Sequence, residues 1–156
     1  MPIYIKFDGI PGESQDIKGA IEIHSYSWGL SNSSPGGAAG GDPGRVQFQD
    51  FHFVKSVDST SPELFLRCAS GRHIQKAMFL ARKSGENGEK QIDYLKIEFE
   101  EVMVSSFSQA GADDLPSESI SFTYGKIDIT YTPQSRDGSA GTPITAGWDL
   151  IKGKKV

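Results

Sequence analysis

The chain has 156 residues, of which 37% are apolar and 23% charged, and its formal net charge at pH 7 is −4. This length predicts a single domain over residues 1–156, large enough to bury a hydrophobic core. The mildly acidic balance gives no electrostatic reason to expect nucleic acid or an acidic membrane surface as a partner.

Targeting signals are also missing from the sequence pattern. The first residues, MPIYIKFDG, lack the basic and apolar regions of a cleaved secretory signal peptide. No run of 18 apolar residues occurs, so we expect no membrane insertion. A protein of this kind is made in the cytoplasm, and export would require another machine.

Alternating apolar residues predict a first strand over residues 2–7 and a long second strand over residues 18–30. Within the second strand the apolar residues change from odd to even positions near Ser25. Because side chains alternate between the two faces of a strand, this change predicts a bulge or a bend at that point.

A glycine-rich segment follows over residues 31–44, with the sequence SNSSPGGAAGGDPG. Its composition predicts an extended loop, because it offers little to bury and many conformations. The loop is either a simple hairpin connector or an arm that orders against a neighbouring subunit. The candidate contact residues of such an arm are Ser31, Asn32, Pro35, Gly36, Gly37, Asp42 and Arg45.

One short helix interrupts the strands. Ser61 is the expected N-cap, Pro62 suits the first helical position, and Gly71 fits a left-handed C-terminal cap. An apolar stripe at helical spacing comprises Leu64, Phe65, Cys68 and Ala69. Cys68 is the only cysteine, so the chain cannot form an intramolecular disulfide.

The rest of the chain consists of segments of strand length separated by turns. Strands are predicted over residues 75–83, 90–107, 118–132 and 146–151, with a turn at 85–88, a loop at 110–117 and turns over 133–142. The apolar phase shifts at Glu100–Glu101, which predicts another bend. The fold class is therefore mainly β: an antiparallel β-barrel of two sheets with one short flanking α-helix.

The sequence carries no motif of an enzyme or of a cofactor site. The three histidines, His24, His52 and His73, have no metal-ligand spacing, and a single cysteine cannot form a CxxC pair. Neither GxSxG nor GxGxxG occurs. We expect no catalytic residues, no cofactor and no metal, and a function that depends on surfaces.

Several short motifs in a fixed order span the chain. They are SWG at residues 27–29, QDFHFVK at 49–55, the D-x-x-[ST]-P-x-L element at 58–64, CASGRH at 68–73, EFEEVMVSS at 98–106 and the YTPQ…DG…GW ending at 131–148. This set resembles the Hcp family, the tube-forming subunit of type VI secretion systems. The resemblance implies hexameric rings that stack into a hollow tube, surrounded by a sheath and tipped by a spike protein.

The resemblance also implies that the protein is itself exported through the type VI apparatus and that its lumen carries small secreted effectors. The lumen candidates are Ser27, Ser121, Thr123, Thr130 and Thr132, which lie on polar strand faces or, for Ser27, are suggested by family analogy. Ser27 could equally pack beside Trp28 in the core. The alternatives are a tail-tube protein of a related contractile injection system, a monomeric β-barrel binding module and an enzyme.

Overall fold

The computed structural model describes residues 1–33, 45–83 and 91–156. Within them, the strands are β1 (Ile3–Phe7), β2 (Ile21–Ile23), β3 (Ser25–Ser27), β4 (Leu30–Ser33), β5 (Arg45–Phe48), β6 (Phe51–Ser56), β7 (Ile74–Lys83), β8 (Ile92–Ala110), β9 (Ser117–Thr123), β10 (Lys126–Tyr131), β11 (Ile144–Asp149) and β12 (Lys154–Lys155). The helix α1 spans Ser61–Ser70. All strand pairings are antiparallel, so the mainly β class with one short helix is confirmed.

The long strand β8 belongs to two arms of one branched sheet. The long arm has the order β12-β11-β10-β8-β7-β1-β2, and the short arm has the order β3-β6-β9-β8. The first part of β8 pairs with β7 and β10, and its last part, from Met103 to Ala110, pairs with β9. The two arms therefore share one continuous stretch of backbone.

Phenylalanine side chains pack the two arms against each other. The ring centroid of Phe51 in the short arm lies 5.7 Å from the ring centroid of Phe79 and 5.1 Å from that of Phe99, both in the long arm. Phe7 and Phe122 make a further edge-to-face pair between the arms at 5.7 Å. These rings are fully or almost fully buried, and they form the centre of one continuous hydrophobic core.

Both predicted bends are present. His24 separates β2 from β3, and its N–H donates a hydrogen bond of 2.7 Å to the carbonyl oxygen of Val54. Since this break separates the short arm from the β1–β2 pair, no continuous strand ladder closes a barrel within the described parts of the chain. Glu101 has a φ of 53°, a left-handed conformation that side chains rarely adopt, and it turns β8 between its two partners.

The helix follows the sequence prediction with one change. Gly71 ends it with a φ of 68°, and its N–H donates to the carbonyl oxygen of Arg67. The N-cap is Thr60 rather than Ser61, because Ser61 already belongs to the helix and its hydroxyl is used inside the protein. The expected apolar stripe is only partly buried: Leu64 lies in the core and Cys68 packs against it, but Phe65 and Ala69 are exposed.

Two strand predictions need correction. Residues 18–30 do not form one strand, and residues 118–132 divide at Tyr124–Gly125 into β9 and β10, which join different arms. Residues 31–33 of the predicted glycine-rich loop belong to β4 and pair with β5, and residues 34–44 lie outside the described residues. The predicted turn at 85–88 lies outside the described residues.

Candidate functional site: a hydroxyl-rich sheet face

The short arm has one buried face and one polar face. Along β6 and β9, Phe51, Phe53, Ile120 and Phe122 point into the core, so the residues between them point outward. We call this outward surface the hydroxyl-rich face. It comprises Ser25, Ser27, His52, Val54, Ser56, Met103, Ser106, Ser108, Ala110, Ser117, Ser119, Ser121 and Thr123.

Cross-strand pairing aligns these residues in rows. One row runs from Ser27 through His52 and Ser121 to Ser106, across all four strands of the short arm. Within it, the Nδ1 atom of His52 is 3.0 Å from the hydroxyl oxygen of Ser121. These rows contain no Asp, Glu, Lys or Arg, so the face offers hydrogen-bonding groups with little charge.

The structure places the five lumen candidates on two different surfaces. Ser27, Ser121 and Thr123 lie on the hydroxyl-rich face. Thr130 lies in β10 on the long arm, where its hydroxyl is 3.1 Å from that of Thr145, and Thr132 follows the end of the same strand. Ser27 is exposed, so the alternative in which it packs in the core is not supported.

The loop candidates are also divided. Ser31 and Asn32 lie in β4, and Arg45 pairs with Ser33 at the start of β5. All three are exposed on the hairpin. Pro35, Gly36, Gly37 and Asp42 lie outside the described residues.

A buried charge network beneath the hydroxyl-rich face was not predicted. Lys55 and Glu118 have no exposed side-chain surface, and their Nζ and Oε1 atoms are 2.6 Å apart. Lys55 also donates to Asp58 at 3.0 Å and to the hydroxyl of Ser61 at 3.1 Å. The sequence did contain a signal: both charges occupy the strand parity of buried phenylalanines, and they have opposite signs.

The side-chain amide of Gln109 is the hydrogen-bond partner of the second carboxylate oxygen of Glu118. Gln109 donates to Oε2 of Glu118 at 3.0 Å, while the hydroxyl of Ser61 donates to Oε1 at 2.6 Å. Through these contacts the network joins β6, β9 and β8 to the start of α1. Its role is to fix the helix against the short arm, since each buried polar atom has a partner.

Among the described residues, the contact between His52 and Ser121 is not extended by a hydrogen bond from His52 to a carboxylate. His52 contacts Ser121, and Asp50, which precedes β6, accepts a hydrogen bond from Ser105 at 2.6 Å. Across the residues that the structure describes, no cluster of three or more His, Cys, Asp or Glu could hold a metal ion. No helix of the described parts is long and apolar enough to cross a membrane.

Comparison with known proteins identifies the family. The family model for "Type VI secretion system effector, Hcp" matches residues 4–131. The chain belongs to the Hcp family. It is therefore a type VI secretion protein. The Hcp family consists of structural, secreted tube proteins and is not a known enzyme class.

Individual relatives agree over nearly the whole chain. Protein hcp1 of Pseudomonas aeruginosa is 37% identical over 154 residues, covering 95% of this chain and 94% of the relative. A solved type six secretion system protein superposes with a TM-score of 0.88 at 29% identity, covering 99% of both chains. Hcp1 from Salmonella typhimurium superposes with a TM-score of 0.81 at 31% identity, covering 99% of this chain and 98% of that one.

Proposed function

We propose that the chain is the ring-forming subunit of a type VI inner tube. Six copies close into a ring, rings stack into a hollow tube, and the hydroxyl-rich face lines the lumen. The tube contacts the sheath and spike proteins, leaves the cell through the type VI apparatus, and carries small effectors. The observation that carries this proposal is the short arm, which combines a weakly charged polar face with two unpaired edges.

The two edges of the short arm differ from each other. Among the described residues, β3 pairs only with β6, and the β8 segment from Ser105 to Ala110 pairs only with β9. An open edge presents backbone N–H and C=O groups that readily pair with another chain. Because the edges are different, joining one to the other is a heterologous contact, which closes into a ring when the rotation permits.

The hydroxyl-rich face suits transient contact with cargo. Serine hydroxyls and the imidazole of His52 offer hydrogen bonds, each of which contributes only about 1 kcal/mol net in water. Without fixed charges, the face neither binds oppositely charged cargo tightly nor repels cargo of one sign. A passing protein would therefore be held weakly at many points and released without a large barrier.

The oligomeric state tests the ring directly. Light scattering coupled to size exclusion, followed by negative-stain imaging, should give closed particles of several times the 16.9 kDa subunit mass. A species of subunit mass at all concentrations into the micromolar range would refute the ring and favour a monomeric binding module.

Substitution of Ser27 tests the lumen assignment. Ser27→Trp should leave the melting temperature and ring formation unchanged, because Ser27 is exposed. Retention of a co-purified effector should fall, since the bulky ring narrows the channel. Thr130→Trp is the matched control on the other arm. Equal loss of effector in both variants, or in neither, would contradict the assignment of the lumen to the hydroxyl-rich face.

The β4–β5 hairpin is proposed to contact a neighbouring ring. It projects exposed residues, including Ser31, Asn32 and Arg45, while Phe48 near its base packs against the core. Deleting residues 35–41 should preserve the circular dichroism and melting of the subunit while weakening ring stacking. Tubes of unchanged length and stability would refute this role.

A further inference from the structure

Two imidazole rings contact serines of the hydroxyl-rich face. The Nδ1 atom of His52 is 3.0 Å from the hydroxyl oxygen of Ser121, and the Nε2 atom of His24 is 2.9 Å from that of Ser56. His24 is exposed and His52 is half-buried, so both rings are open to solvent. No other side chain in the rows of the face changes charge between about pH 5 and pH 8, the range in which imidazole titrates.

Each serine holds one nitrogen of its ring and leaves the other without a partner in the part of the chain that the structure describes. The second nitrogen is Nε2 in His52 and Nδ1 in His24. When an imidazole is protonated, both of its nitrogens are donors, so the serine hydroxyl acts as acceptor and the second N–H is available to a ligand. The serines therefore orient the two rings without occupying the nitrogen that would meet cargo.

The strands on either side of His52 present neutral groups. Its cross-strand partners are Ser27 on β3 and Ser121 on β9. The carboxylate of Asp50, two residues before His52 in the chain, accepts a hydrogen bond from Ser105 at 2.6 Å. A proton on His52 therefore makes a neutral row positive, beside one carboxylate that already has a hydrogen bond.

The charged groups near His24 are Lys55 and Glu22. Lys55 donates to the carbonyl oxygen of Ser56 at 3.2 Å, and its charge is paired with the carboxylates of the buried network. Glu22, two residues before His24, is exposed. Because Lys55 is already neutralised, a proton on His24 adds positive charge to this end of the face.

We infer that the hydroxyl-rich face, once its imidazoles are protonated, binds cargo that presents carboxylate groups. This inference rests on the proposed function and names the class of cargo that the lumen takes. The free N–H of each ring donates a charge-assisted hydrogen bond to a cargo carboxylate, and neighbouring serine hydroxyls donate to its other oxygen. At higher pH the rings lose their charge and acidic cargo is released. Ring closure repeats both imidazoles in every subunit, which concentrates the charge in one channel.

An aspartate peptide of about ten residues with a pH-insensitive fluorophore tests the inference, because its carboxylates stay ionised at about pH 5.5. Its affinity for the wild-type assembly, measured by fluorescence anisotropy, should be at least about tenfold higher at about pH 5.5 than at about pH 8, the effect of one charge-assisted hydrogen bond. A serine–glycine peptide of the same length should bind weakly at both pH values. An aspartate peptide that binds equally at both would overturn the inference.

Replacing the imidazoles locates the effect. The variant His24→Gln/His52→Gln keeps a hydrogen-bonding group beside each serine but cannot gain a proton, so its affinity for the aspartate peptide should not depend on pH. His24→Lys/His52→Gln places a permanent charge at an exposed position and should bind the peptide at about pH 8 as well. A pH effect that survives in His24→Gln/His52→Gln would contradict the assignment to these two rings.

His73→Gln is the matched control. His73 is exposed outside the rows of the face, and its Nδ1 atom is 3.6 Å from Oε2 of Glu101. The variant removes one histidine, as each single replacement on the face does, and should retain the pH effect. Loss of the effect in His73→Gln would show that binding follows the net charge of the whole protein, which would overturn the inference.

Light scattering at both pH values separates this inference from the proposed function. Wild-type protein at subunit mass refutes the ring, whatever the peptide does. A ring that binds the aspartate peptide equally at both pH values refutes only the class of cargo. Circular dichroism of each variant at both pH values shows whether a change in binding is a change in folding.

Discussion

Removing one member of the buried Lys55–Glu118 pair should destabilise the subunit severely. In Lys55→Met, the carboxylate of Glu118 loses an ammonium group at 2.6 Å while it stays fully buried. Ser61 and Gln109 still donate to it, but neither carries a charge. Leaving a buried charge without its counter-ion costs about 3–5 kcal/mol, so we expect a loss in that range.

The double variant Lys55→Met/Glu118→Leu should recover much of this loss. Both charges are then removed, and the apolar replacements lie among Phe53 and Ile120 on the inward strand faces. What remains is the cost of the unpaired Ser61 and Asp58 groups, about 1–3 kcal/mol. The double variant should therefore be more stable than either single variant, with a coupling free energy of several kcal/mol.

Urea unfolding followed by circular dichroism measures these free energies. All variants must be compared at one protein concentration, because assembly adds to apparent stability. Additive losses in the double variant would refute the coupling. A loss below about 1 kcal/mol in Lys55→Met would show that the pair is not buried as the structure places it.

Two further predictions concern single backbone and side-chain positions. Burial raises the pKa of Tyr124 to about 12, with the charge of Asp50 contributing, so the unfolded chain ionises first. Because of this residue, the free energy of unfolding should then fall by about 2 kcal/mol between about pH 10 and pH 12. Tyr124→Phe should show a shallower loss of stability in urea unfolding across this alkaline range. Parallel stability curves for the wild type and the variant would contradict this. Gly71→Ala should cost about 1 kcal/mol in thermal unfolding, because its φ is 68° although a Cβ would meet nothing within 4 Å. A cost above about 3 kcal/mol would mean that steric contact, not backbone conformation, fixes this glycine.

The bends of this fold could be predicted from the sequence because they interrupt a two-residue period. The apolar residues change parity around Ser25 and again at Glu100–Glu101, and the chain bends at His24 and at Glu101. The single helix was predictable for a similar reason, since Pro62 and Gly71 mark its ends chemically. Local patterns of this kind require no knowledge of the partner strands.

Which distant strands pair with each other could not be predicted in the same way. The apolar residues of 118–132 change from even to odd positions at Tyr124–Gly125, which marks a break, but nothing local shows that Thr123 and Thr130 join different arms. An apolar groove on the surface combines Trp28, Phe48 and Trp148 from three separate segments. The exact N-cap was also missed, because the hydroxyl of Ser61 is drawn to Glu118, a residue far away in sequence.

The shared strand β8 has a consequence for how the subunit unfolds. Its first part carries the ladders to β7 and β10, and its last part carries the ladder to β9. Neither arm can separate from the other while this strand holds both sets of hydrogen bonds. The two arms should therefore lose structure in one cooperative transition, and the amide protons near the middle of β8 should be among the last to exchange with solvent.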